Sequence, residues 1–133
     1  MNITVISVGK IKEKYFTAAI DEYSKRLSRF AKLNIIEVAD EKIPDNASEK
    51  EMEQIKEKEG NKILAKLPQN SFVVTLCIEG KEHSSEELAK KIADISMTSS
   101  HITFIIGGSL GLSDTVKSKS ALRLSFGKMT LPH

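Results

Sequence analysis

The sequence has only one cysteine, Cys77, which excludes an internal disulfide framework and any multi-cysteine metal site. Cys77 sits in the apolar run Val73-Val74-Thr75-Leu76-Cys77-Ile78, where a small core residue is expected rather than a nucleophile. A lone thiol suits a reducing compartment. Long apolar runs are missing as well, and nothing approaches the ~18 residues of a membrane span. The opening Met1-Asn2-Ile3-Thr4-Val5-Ile6 has no basic stretch of a secretory signal. A cytoplasmic protein without a membrane partner is therefore expected. The net charge is only +2, so bulk charge does not mark the chain as a nucleic-acid binder. The three histidines, His83, His101 and His133, are scattered and lack metal-ligand spacing, so no metal is expected. His101 opens an apolar run and reads as structural, whereas His83 falls in a polar loop.

What is present fits one compact domain, residues 1–133. The chain is 40% hydrophobic and 29% charged, ordinary values for a globular protein of this length. Its charge is unevenly spread. Residues 1–35 hold seven Lys/Arg (Lys10, Lys12, Lys14, Lys25, Arg26, Arg29, Lys32) against three acids. Both a solvated helix face and an RNA contact account for that excess.

Residues 2–8 are β-rich, end at Gly9, and predict a buried first strand. Tyr15, Phe16, Ala19, Ile20, Tyr23, Leu27 and Phe30 recur at helical spacing, and that stripe is expected to face the core rather than to stack on bases. Residues 33–38 predict a second strand. Ser48 and Glu51 form a capping-box pattern that opens a charged helix to about Lys66, with a thin stripe of Met52, Ile55, Ile63 and Leu64. Residues 71–78 are apolar on both faces, as a central parallel strand requires. A helix opened by Ser84, Ser85 and Glu87 carries Leu88, Ile92 and Ile95. Residues 101–106 form a strand, 113–119 a short helix and 121–126 a fifth strand. This alternation predicts an α/β fold with a mainly parallel sheet and flanking helices.

Ligands of open parallel sheets bind beyond the carboxyl ends of the strands. Three such ends stand out: Leu76 to Gly80, Gly107-Gly108-Ser109-Leu110-Gly111, and Gly127 to Pro132. Together they could line one cleft with backbone groups suited to an adenine ring and a ribose. The glycine segment also reads simply as a tight strand-to-helix turn. It is not a dinucleotide fingerprint, which would follow the first strand, nor a P-loop, which needs Gly-Lys-Ser/Thr. No serine stands on a nucleophile elbow. Methyl transfer from a sulfonium needs little more than in-line positioning and removal of a proton, so a site without a conspicuous triad is compatible with it.

Several stretches carry a resemblance. Val8-Gly9-Lys10, Lys58-Glu59-Gly60, Val74-Thr75-Leu76, the run Ile105-Ile106-Gly107-Gly108-Ser109 with Gly111-Leu112, and Ser125-Phe126 followed by Lys128-Met129-Thr130-Leu131-Pro132-His133 resemble the RlmH family of SPOUT-class rRNA methyltransferases, in register from residue 1 to residue 133. The resemblance implies a homodimer with a C-terminal trefoil knot. It also implies transfer of a methyl group from S-adenosylmethionine to N3 of a pseudouridine in large-subunit (23S) rRNA of the assembled ribosome. Carried over by position, the cofactor contacts are Leu76, Gly108, Gly127, Lys128, Met129, Thr130, Leu131 and Pro132, mostly through their backbone.

The family continues past Thr-Leu-Pro-His with a further helix and a basic tail, which thread the knot and supply catalytic side chains. The resemblance therefore implies an incomplete knot here, weaker cofactor binding and activity than in a chain carrying that tail, exposed apolar surface around Phe126, Met129 and Leu131, and no assignable catalytic residue. Two other functional classes stay open on the residues alone. One is a non-catalytic RNA- or ribosome-binding module using the basic first helix. The other is a nucleotide-binding protein using the Gly107–Gly111 loop for phosphate.

Overall fold

A computed structural model describes residues 1–133. Nine elements follow one another: β1 (Asn2–Val8), α1 (Lys14–Leu27), β2 (Lys32–Val38), α2 (Glu49–Lys66), β3 (Phe72–Glu82), α3 (Ser85–Ser96), β4 (His101–Ile106), α4 (Asp114–Ser118) and β5 (Leu122–Ser125). The strands form one sheet in the order β2-β1-β4-β3-β5, and every neighbouring pair is parallel. No helix is long and apolar enough to cross a membrane.

Strand periodicity divides the core in two. Ile6, Val8, Val38, Val73 and Ile105 point to one face, where Ile63 of α2 and Val116 of α4 cover them. Val74, Ile102 and Leu124 point to the other, under Ile95, Ile92 and Leu88 of α3. The register makes this consistent, since Ile6 pairs with Ile105 while Val74 pairs with Phe104. Val73, Val74 and Thr75 are buried in succession, so β3 is enclosed on both faces as its run of apolar residues predicts. His101 is structural: its Nε2 lies 2.7 Å from Thr4 Oγ1 on the neighbouring strand.

Both capping boxes form. Ser48 Oγ accepts the Glu51 N–H at 3.1 Å, and Ser84 Oγ accepts the Glu87 N–H at 3.1 Å. The inward face of α2 is Ile55, Glu59, Gly60 and Ile63. The expected Met52 and Leu64 are only half-buried, and a carboxylate and a glycine fill the middle of the stripe.

Two expectations fail. No residue of α1 is buried, and Tyr15 and Phe30 are 68% and 79% exposed. The stripe is a real apolar face, but α1 packs mainly on the edge strand β2, and its aromatic side is left exposed. Tyr15 packs instead on Phe16 (ring centroids 4.6 Å apart), and the Arg26 guanidinium sits 5.5 Å from the Tyr23 ring centre. Cys77, expected in the core, is half-buried. β3 pairs regularly with β5 as far as Leu76, then bulges, and pairing resumes at Lys81 against the same Leu124. The residues between have no ladder partner on β5, and Cys77 falls in that interruption, half-buried rather than in the core.

Candidate functional site

The bulge of β3 meets the carboxyl ends of β4 and β5. A cavity of about 470 Å³ opens there, within the size range of small-molecule sites. Its wall is Leu76 to Glu79 from the bulge of β3, Ile106 to Leu112 after β4, Leu124, Phe126 and Gly127 at the end of β5, and Met129 to His133. Of the eight residues named from the sequence, Leu76, Gly108, Gly127, Met129, Thr130, Leu131 and Pro132 line this one space. Lys128 does not line it and is exposed. Phe126, Met129 and Leu131 are exposed at its rim, as expected.

Local chemistry explains the shape. After β4 the chain turns back on itself: the Gly111 N–H donates to the Gly108 carbonyl at 2.9 Å, and Gly111 takes φ +84°, a conformation that favours glycine. Ser113 then caps α4 by accepting the Val116 N–H at 3.3 Å. The turn places three glycines, Gly107, Gly108 and Gly111, on the cavity wall, where no side chain screens the backbone.

Two polar ties that sequence reasoning did not single out join the three loops. Ser125, buried at the end of β5, has its Oγ 3.0 Å from the Ile78 carbonyl and accepts the Gly127 N–H at 3.1 Å. It thus fastens the β3 bulge to the segment leaving β5. Glu79 from the bulge forms an ion pair with Lys117 of α4, both on the cavity wall. The hydrogen bond from Lys117 holds the Glu79 carboxyl below its ordinary value of 4.5, its own backbone N–H helps, and partial burial opposes them. A serine amid apolar strand residues was a legible signal for the first tie. The second joins residues 38 apart in sequence and leaves no pattern.

With its only lysine paired to Glu79, the cavity has no basic cluster for a polyphosphate. Half of its lining residues are hydrophobic, which suits a flat aromatic group with a few hydrogen bonds from backbone.

Relatives place these features in a family. The family model described as "Predicted SPOUT methyltransferase" matches residues 1–133. Ribosomal RNA large subunit methyltransferase H of Clostridium botulinum (strain Kyoto / Type A2) is 62% identical over 134 residues, spanning 100% of this chain and 84% of that protein. The protein of the same name from Clostridioides difficile (strain 630) is 58% identical over the same shares, and that from Clostridium novyi (strain NT) is 59% identical. A parallel sheet whose strand tips build one glycine-walled cavity, matched from end to end, identifies the chain as a member of the SPOUT methyltransferase family.

Proposed function

We propose that this chain is an S-adenosylmethionine-dependent methyltransferase acting on N3 of a pseudouridine in 23S rRNA of the assembled ribosome, working in the cytoplasm as a homodimer. The relatives' names support the rRNA substrate, and the sequence resemblance supports the target atom. The observation that carries the cofactor reading is the convergence of the Leu76, Gly108 and Gly127–Pro132 segments on one cavity. Those residues are the proposed contacts. Lys128 stays in the set on the resemblance alone, because it does not line the cavity.

The fit is chemical as well as spatial. Backbone groups of the Gly108 turn and the Gly127 segment supply directional hydrogen bonds, while Leu76, Ile106 and Leu124 supply apolar contact. Bound S-adenosylmethionine supplies a methyl group already activated by its sulfonium. The residues of the chain therefore have to bind, orient and exclude water, and effective molarity from positioning provides much of the rate. Ser125 and the Glu79–Lys117 pair keep the walls in place while this happens. The uncovered face of α1 and the turn after it, with Tyr15, Phe16, Tyr23, Leu27 and Phe30 exposed, supports association with a second copy.

Calorimetric titration with S-adenosylhomocysteine tests the reading. Saturable binding at one site per chain, not displaced by ATP, is expected. Displacement by ATP would favour a phosphate-binding loop. No binding of S-adenosylhomocysteine, alongside salt-sensitive binding to ribosomes, would favour a non-catalytic RNA-binding module.

A further inference from the structure

Glu59 is the buried titratable group for which the reading above has no use. α2 is otherwise a charged helix facing solvent, yet this side chain is 5% exposed and takes part in none of the chain's four ion pairs. Burying a carboxyl group without a cation is unfavourable unless hydrogen bonds satisfy it. A leucine here would continue the stripe from Ile55 to Ile63, so packing alone does not account for the residue.

Reach does account for it. Glu59 Oε2 accepts the backbone N–H of Glu41, just beyond β2, at 2.9 Å. The same carboxyl group faces Gly108: a Cβ at that position would stand 3.2 Å from Oε1, 3.4 Å from Oε2 and 3.1 Å from Val8 Cγ1. The adjacent Gly60 meets the far end of the glycine loop so closely that a Cβ there would lie 2.6 Å from Ser113 Oγ. One turn earlier, Glu57 accepts the Thr115 hydroxyl at 3.2 Å. A single stretch of α2 therefore touches the loop near its start, at its end, and at the helix it leads into.

We propose that Glu59 is a positioning residue. It seats Gly108 between its carboxyl group and Val8, and so sets where the backbone of the glycine loop stands in the cavity. The proposal rests on the reading of that cavity as the cofactor site. What positions the loop is the length of the side chain and its acceptor oxygen, not its charge. E59Q keeps both, E59D draws the acceptor back by one methylene while keeping the charge, and E59A removes it.

Amide hydrogen exchange without ligand, followed by calorimetry with S-adenosylhomocysteine, separates the possibilities. E59D and E59A are expected to speed exchange of residues 107–113 by about tenfold, with β1 and β4 unchanged, and to weaken binding by about tenfold. E59Q should match the parent protein. The proposal is overturned if E59D and E59A leave loop exchange at the parent rate, if exchange rises equally throughout the chain, or if E59Q is as impaired as E59D. Should E59A fail to fold, the contrast between E59D and E59Q decides alone. If the parent protein binds no S-adenosylhomocysteine, the cofactor reading falls, while exchange in the variants still judges the contact between Glu59 and the loop. A loosened loop with parental affinity would overturn the positioning role.

Discussion

Ser125 carries more of the proposed site than its size suggests. Its hydroxyl is buried and joins two of the three cavity loops at once. Removing it leaves the Ile78 carbonyl and the Gly127 N–H without this partner, at about 1 kcal/mol. S125A is thus expected to fold, to unfold at slightly lower urea, and to bind S-adenosylhomocysteine roughly fivefold more weakly. Unchanged affinity would show that the loops hold their places without this tie. The Glu79–Lys117 pair makes a different prediction. A carboxyl whose folded pKa is lowered contributes stability above its unfolded value, and that contribution is lost as pH falls through the folded value. The pair therefore holds at neutral pH and releases on acidification below the ordinary 4.5. Carbon-detected NMR of Glu79 should give a midpoint under 4.5, and K117M should move it back up. A midpoint insensitive to K117M would rule out the lysine as the chief cause. Because the Glu79 side chain is half exposed and solvent screens the pair, losing it costs about 1 kcal/mol.

At the level of elements, the sequence was most legible where two independent signals coincided. The capping boxes at Ser48 and Ser84 start helices where their spacing predicts, and the run Val73-Val74-Thr75 forms a strand buried on both faces. Helical periodicity in α1 was equally clear, but it reports an apolar face and not what lies against it. Only the topology shows that α1 flanks the edge strand β2 with its aromatic side uncovered. Likewise, the thin stripe of Met52, Ile55, Ile63 and Leu64 gave no sign that Glu59 turns inward and faces Gly108. The bulge after Leu76 was hidden because alternation looks the same whether or not pairing slips. These distinctions have energetic consequences. I63A, in the core beneath α2, should lower stability by about 2–5 kcal/mol. F30S, on the exposed face, should change monomer stability by less than about 0.5 kcal/mol and shift sedimentation toward the monomer. If F30S proves as destabilising as I63A within the monomer, the placement of Phe30 in solvent is wrong.

For the whole molecule, the parallel order β2-β1-β4-β3-β5 brings the tips of β4, β3 and β5 side by side, and the cavity lies where they end. Seven of the eight residues that the resemblance implies as cofactor contacts fall on its wall, because neighbouring parallel strands bring their loops together. The family assignment supports methyl transfer as the chain's chemistry, and this cavity is where we propose that its cofactor binds. Titrating the isotopically labelled chain with S-adenosylhomocysteine and following its backbone amides by NMR tests this most directly. Shifts should concentrate in residues 76–80, 107–112 and 127–133. Shifts confined to the groove between α1 and β2, around Ser24, Ser28 and Leu33, or no shifts at all, would contradict it.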